Sequence, residues 1–250
     1  MALFGNTIMV LAKKKSQNPW LEGLVAYYPF DANGNDFSGN GNNGVAGGAL
    51  PIFGSNTNIN GEVVFQNNAS YFTIPDSDSF TFSDGLQDLP FTFMGWLYFR
   101  QVSVFGNVLL DRRTTVTSGE WLFALDTNRT LYFRKYADNN ATLTTVTSVA
   151  IPLNIWQHIT YTDDGLGNLN SGKFYINGGL VGSNNSGSGT FTKMQNTTHF
   201  VRVANISSGL SVGAQHLGSM DDFYIYKNRQ LTATEIQEVY NLGLNGQTLI

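Results

Sequence analysis

From Leu24 to about Tyr226 the chain is a succession of short apolar stretches, each closed within a few residues by Gly, Asn, Asp, Pro or Ser. No helical period of apolar residues is sustained in that span. A backbone punctuated this often has room only for strands. The candidates are LVAYYPF, GEVVF, SYFTIP, FTFMGWLYF, NVLLDRR, EWLFALD, TLYFRKY, TLTTVTS, WQHITYT, GKFYING, FVRVANI and MDDFYIYK, rich in β-branched and aromatic residues. A dozen of them sharing one core predict an all-β sandwich of two stacked sheets, and 250 residues suffice for one such domain with short extensions.

In FTFMGWLYF the two-residue strand period sets Phe91, Phe93, Gly95, Leu97 and Phe99 against Thr92, Met94, Trp96 and Tyr98. Both faces are largely apolar, which predicts a central strand with the core on one side and a covering loop on the other. Asn177-Gly178-Gly179, between two short strands, predicts a hairpin with a left-handed turn. One helix is expected in LTATEIQEVYNLG. Thr232 and Glu235 form a capping box, Ile236, Val239 and Tyr240 an apolar stripe, and Gly243 suits the position just past the last turn. That helix is expected to lie on the sandwich as a lid.

The expected boundaries are an N-terminal arm over residues 1–22, one domain over 23–243 and a tail over 244–250, with GSNNSGSG at 182–189 a long loop. The arm's apolar run precedes Lys13, Lys14 and Lys15, the reverse of a secretory signal, and falls short of the roughly 20 residues that cross a bilayer. It reads as a loose or packing arm, or as one that docks on a neighbouring subunit or particle.

Composition argues against several functions. Charged residues make up 13% of the chain, and a net charge of -4 leaves no basic face for phosphate, which disfavours nucleic acid. With no cysteine there is no disulfide, thiolate zinc site or thiol nucleophile. His158, His199 and His216 are far apart and in no zinc-binding spacing; each is expected to make an ordinary hydrogen bond. There is no G-x-S-x-G elbow, and no Gly-rich loop leads from a strand into a helix as a phosphate cradle must. Glycoside hydrolysis needs two carboxylates roughly 5 to 9.5 Å apart across a cleft. Glu120 and Asp126 lie at opposite ends of one strand, and Asp221 and Asp222, being adjacent, are expected on opposite faces.

One cluster survives this search. Asp31, Asn33, Asp36 and Ser38 lie within eight residues of a Gly-rich loop, and their oxygens, turned inward, suit a hard cation. Calcium takes about 6 to 8 oxygens, more than the loop's acids supply, so a second source is required. Asp221 or Asp222 provides it if the first and last strands are neighbours. The alternative is that Asp and Asn here only stabilise Asx turns. The residues alone leave both readings open.

Five segments in order, GLVAYYPFDANGNDFSGNGNNG, YFTIPDSDSFTF, FTFMGWLYF, WQHITYTDDGLGNLNSGKFYINGGLVGS and GSMDDFYIYKNRQLTATEIQEVYN, resemble a LamG-like jelly-roll domain of the concanavalin A-like lectin/glucanase superfamily. They span residues 23 to about 241. The resemblance implies a jelly roll of two antiparallel sheets with one short C-terminal helix, its opening and closing strands side by side. It also implies a structural Ca2+ held by Asp31, Asn33, Asp36 and Asp222, with Asp221 and Asn43 as further ligands. The family's activity is mostly non-catalytic: its domains bind glycans or proteins, or serve as adhesion and structural modules of extracellular assemblies.

The expected function is therefore a non-catalytic, lectin-like module displayed on a virion (phage) or cell surface and recognising glycans. The absence of a recognisable export signal suits a particle released by lysis. Sugar sites set an exposed ring beside Asn, Asp or Gln. Tyr136, Asp138, Asn139 and Asn140 on one expected turn have that chemistry, and so does any polar hairpin tip. The alternatives are an assembly or capsid-decoration protein anchored through residues 1–20 and, further off, a glycoside hydrolase. The N-x-S/T sequons at Asn68, Asn128, Asn140, Asn196 and Asn205 are what an Asn- and Thr-rich surface produces by chance.

Overall fold

Each of the twelve stretches expected to be extended lies on a strand. The structure, a computed structural model, describes residues 18–54, 61–66, 70–115, 117–206 and 214–250. In chain order the elements are β1 (Leu24–Tyr28), β2 (Val45–Gly47), β3 (Ile52–Gly54), β4 (Glu62–Phe65), β5 (Tyr71–Ile74), β6 (Phe91–Phe99), β7 (Asn107–Arg113) and β8 (Gly119–Leu125). There follow β9 (Leu131–Tyr136), β10 (Thr142–Val146), β11 (Trp156–Asp163), β12 (Gly172–Ile176), β13 (Gly179–Leu180), β14 (Ser186–Ser188), β15 (Val201–Val203), β16 (Gly218–Lys227) and α1 (Ala233–Leu244). Most of the expected N-terminal arm and the sequon at Asn68 lie outside the described residues.

Two eight-stranded sheets result. The first runs β13-β12-β11-β6-β16-β4-β3, with β1 also beside β16; the second runs β14-β10-β9-β8-β7-β15-β5-β2. β1 pairs antiparallel with β16, Leu24 opposite Tyr226 and Tyr28 opposite Phe223, so the opening and closing strands are neighbours, as a jelly roll requires. In β16 the pairing with β6 slips between Asp221 and Tyr224, and Asp222 takes a left-handed φ of 44°, a β-bulge.

Between the sheets the inward side chains form one core, among them Phe93, Leu97, Trp121, Phe123, Phe133, Tyr161, Phe223 and Ile225. Trp121 is fully buried, and its indole N–H donates to the Phe80 carbonyl at 2.9 Å, so its one polar atom is satisfied. Two ionic knots interrupt this apolar layer. Arg112 contacts Glu120 at 3.1 Å and Asp76 at 2.6 Å, and Lys135 lies 3.1 Å from Asp88 and 2.9 Å from Asp163. Each buried cation faces two carboxylates, the condition under which charge is tolerated out of water.

The outer face of the first sheet is closed by α1 rather than by the covering loop expected over β6. Met94, Tyr224 and Tyr226 pack there with Ile236 and Val239 of the helix and with Leu249, which makes the C-terminal residues part of the packed structure. The capping box forms: Thr232 Oγ1 accepts from the Glu235 N–H at 3.3 Å, and Glu235 Oε2 accepts from the Thr232 N–H at 2.7 Å. Gly243, expected just beyond the helix, is inside it and buried. A Cβ there would stand 2.4 Å from Trp96 Nε1, so the glycine admits the close approach of helix to sheet, and Gly246 takes the left-handed φ of 64° instead.

The hairpin forms as expected, with Asn177 at φ 51° and Gly178 at φ 78° between paired Ile176 and Gly179. The run 182–189 carries a short exposed edge strand, β14, against β10. Among the described residues no helix is long and apolar enough to cross a membrane.

Candidate functional site

The six residues expected around a cation divide into two sets. In the loop after β1, Asp36 is committed to the backbone: Oδ1 accepts from the N–H of Tyr27 at 3.0 Å and of Ser38 at 2.8 Å, and Oδ2 from that of Asn42 at 2.9 Å. Asn43 Oδ1 accepts from the Asp36 N–H at 2.9 Å, and Asn33 Oδ1 from the Asn35 N–H at 2.9 Å. Asn33 and Asp36 thus close Asx turns on the residue two further on, and Asn43 reaches back to Asp36, so the three hold a Gly-rich segment in one shape.

Asp31, Asp221 and Asp222 form the other set. Asp221 pairs in register with Trp96, and so shares the helix-covered face. The bulge breaks the two-residue alternation, so Asp222 turns to that face too, lining a small cavity with Trp96, His158 and Tyr224 and accepting from the Tyr27 hydroxyl at 2.5 Å. The expectation that the adjacent acids point apart is corrected by that extra residue. Burial, then the charges of Asp222 and Asp31, push the Asp221 carboxyl well up from its usual range; burial and Asp31 also raise Asp222, against the pull of the Tyr27 hydrogen bond. Asp221 Oδ2 is buried without a hydrogen-bond partner. Among the described residues none of the three acids has a Lys or Arg partner.

An all-oxygen, acidic donor set with an orphaned buried oxygen fits the chemistry of Ca2+. Among the described residues, however, no three His, Asp or Glu side chains already stand placed to hold an ion. His158 lies beside these acids yet is wholly buried against Trp96 and Tyr240, and burial pushes its imidazole down to about 3. Its Nδ1 has no partner, so the ordinary hydrogen bond expected of each histidine is absent at this atom.

The turn expected to hold a sugar is a polar hairpin tip without a free ring. Tyr136 is 1% exposed, buried with Val108, Leu122, Ala124 and Ala214 on the outer face of the second sheet. It cannot stack on a ligand there, which corrects its part in the expected set. Asp138 pairs with Lys193 at 2.9 Å, Asn139 caps the turn through the Ala141 N–H, and Asn140 takes the left-handed φ of 62° that closes it.

An open groove of about 400 Å3 lies elsewhere, on the part of the first sheet's outer face that α1 leaves bare. It is lined by Glu62, Val64, Tyr98, Arg100, Trp156 and Ser219. Register builds it: Trp156 of β11 is opposite Tyr98 of β6, Tyr98 is opposite Ser219 of β16, and Ser219 is opposite Val64 of β4. The Tyr98 and Trp156 rings are half-buried, 5.6 Å apart and tilted by 49°. Arg100 is exposed and Glu62 half-buried, so an apolar platform is bordered by a cation, a carboxylate and a hydroxyl. Sequence reasoning missed this site. Tyr98 ends the second apolar face of its strand, and the three-residue helical stripe is too short to cover that whole face; those two facts together were the available signal.

The sequence model of a family described as the concanavalin A-like lectin/glucanases superfamily matches residues 66–237. No curated protein matches the chain. Among solved structures, the binding domain of Paraclostridial Mosquitocidal Protein 1 is similar at 18% identity and a TM-score of 0.66, covering 88% of this chain and 52% of that one. A structure of botulinum neurotoxin type C, a toxin that depends on interaction with two ganglioside molecules to enter cells, is similar at 15% identity and a TM-score of 0.61, covering 88% and 51%. A Trypanosoma rangeli sialidase in complex with 2,3-difluoro-KDN is similar at 16% identity and a TM-score of 0.58, covering 90% and 33%. The chain spans about half the length of the two toxin structures, and likeness at such identities concerns the fold.

Proposed function

Because the chain belongs to the concanavalin A-like lectin/glucanases superfamily, we propose that it is a carbohydrate-binding module that performs no chemistry on its ligand, with the sugar lying over Tyr98 and Trp156. The groove carries this reading: two accessible rings can cover the C–H face of a pyranose while Arg100, Glu62 and Ser219 meet its hydroxyls. The ganglioside dependence of a fold neighbour supports glycan recognition on this scaffold. A non-catalytic role is supported by the lining, in which Glu62 is the one carboxylate, where glycoside cleavage uses two flanking the bond. Display on a cell or virion surface belongs to the same reading, since a module of this kind acts where glycans are presented.

We propose also that Ca2+ is held by Asp31, Asp221 and Asp222. The support is the partnerless Oδ2 of Asp221 and, among the described residues, the lack of any cationic partner for the three acids. Asp31 is the exposed member and so the one free to rotate toward the ion. Bound, the ion would tie the loop after β1 to the β16 bulge.

A glycan array probed with the chain and with Trp156→Ala tests the main reading. The wild type should bind a defined subset of glycans, and the variant should bind them at least tenfold more weakly, about 1.4 kcal/mol. A folded wild type that binds no glycan would refute the reading in favour of the assembly protein.

A further inference from the structure

Arg202 stands on the opposite sheet from the groove. Val201 and Val203 of β15 are buried in the core, so Arg202 between them points to the outer face. There its guanidinium carbon lies 3.9 Å from the centre of the Tyr71 ring and 4.9 Å from that of Phe200. Both rings are themselves held. Tyr71 lies against Gly47, where any Cβ would come within 2.2 Å of the ring, and Phe200 stacks on His199 at 4.1 Å.

The other arginines held this firmly have their donors consumed. Arg229, between Trp20 and Tyr226, donates to Glu235 and to the carbonyls of Pro19 and Glu22. Arg112 and Arg113 are paired with Asp76, Glu120 and Asp111. Asp111, across the ladder from Arg202, is taken by Arg113 at 2.8 Å. The Arg202 guanidinium has no carboxylate and no hydrogen bond among the described residues, and its Nε is buried without a partner. A planar cation fixed by two rings has lost its conformational freedom before any ligand arrives, and its fork of N–H donors matches a carboxylate or sulfate.

We propose that Arg202, clamped by Tyr71 and Phe200, is a second binding site on this chain, taking the carboxylate or sulfate group of an acidic glycan. The ligand class rests on the carbohydrate-binding reading; the oxyanion chemistry rests on the clamp. The two sites lie on the outer faces of opposite sheets, so each can be occupied without the other.

Calorimetric titration of the full chain with three probes tests it: a glucuronate-terminated disaccharide, a sulfated galactosyl disaccharide and the unsulfated parent. At low salt at least one acidic probe should bind tenfold or more tighter than the neutral parent, the two acidic arms telling carboxylate from sulfate. Arg202→Gln should remove that preference while leaving neutral binding unchanged. Phe200→Leu, which keeps the charge but opens the clamp, should reduce the preference several-fold, with melting temperature checked for each variant. Equal affinity for all three probes, or a preference that survives Arg202→Gln, overturns the Arg202 site and leaves the groove standing. Neutral binding lost in Trp156→Ala but kept in Arg202→Gln tests the groove separately, and no binding by any probe overturns both.

Discussion

Acid should unfold this protein through a histidine that the fold buries in its neutral form. His216 is fully buried, edge-on to Phe99 at 5.2 Å and to Phe65 at 6.1 Å; its Nε2 is 3.3 Å from the Ser219 carbonyl, and its Nδ1 has no partner. Burial pushes the imidazole down from 6.5 to about 4, with a small upward pull from the Ser219 carbonyl and a downward push from Arg100. A histidine lowered in the folded state contributes its full stability above the unfolded value and loses it as pH falls from about 6.5 toward about 4, because the unfolded chain binds the proton first. A fall from 6.5 to about 4 corresponds to about 3 kcal/mol at the limit, and to about 2 kcal/mol between pH 8 and pH 5. Other groups titrate in the same range, so the measurement is a difference: urea unfolding of the wild type and of His216→Gln, which keeps a donor for Ser219, at both pH values. The wild type's advantage over the variant should shrink by about 2 kcal/mol at pH 5. A difference that does not change with pH would refute the argument.

Gly243→Ala should cost about 1 to 3 kcal/mol by overpacking, since the new Cβ would come 2.4 Å from Trp96 Nε1; a lower melting temperature and altered tryptophan fluorescence would show it. Lys135→Met strands two buried carboxylates, Asp88 and Asp163, and should lower unfolding free energy by about 3 to 5 kcal/mol in denaturant titration. Asp36→Ala frees three backbone N–H groups and should destabilise by about 1 to 3 kcal/mol with or without calcium. Asp221→Asn, by contrast, should abolish the rise in melting temperature that calcium gives the wild type; if calcium gives no rise, the proposed ion site is wrong.

The strands were legible because alternation and turn residues are local signals, and so was the helix start, where Thr232 and Glu235 sit three residues apart. What escaped depends on distant partners. Gly243 reads as a helix stop until Trp96 is known to lie beneath it. Tyr136 reads as an exposed ring until Ala214, with Ile206, packs over the outer face of its sheet. The groove draws on four strands, from Glu62 to Ser219, and no window of sequence contains it. Asp36 and Asp222 read as one ligand set, yet hydrogen bonds give the first to the loop and a bulge gives the second to the sheet.

That bulge also gives the last strand one residue more than β6 across the same stretch. Before it the odd-numbered residues Ser219 and Asp221 face outward and Met220 faces the core; after it Tyr224 and Tyr226 face outward and Phe223 and Ile225 face the core. The extra residue is a change of phase. Deleting Asp222 would leave a regular strand, with Phe223 opposite Gly95, Asp221 still opposite Trp96, Met220 still in the core and Ser219 and Asp221 still outward. A homologue missing this one residue therefore keeps the rest of the strand in register and loses only the second acid, whereas an alignment that places the gap elsewhere in the strand pairs residues that face opposite ways.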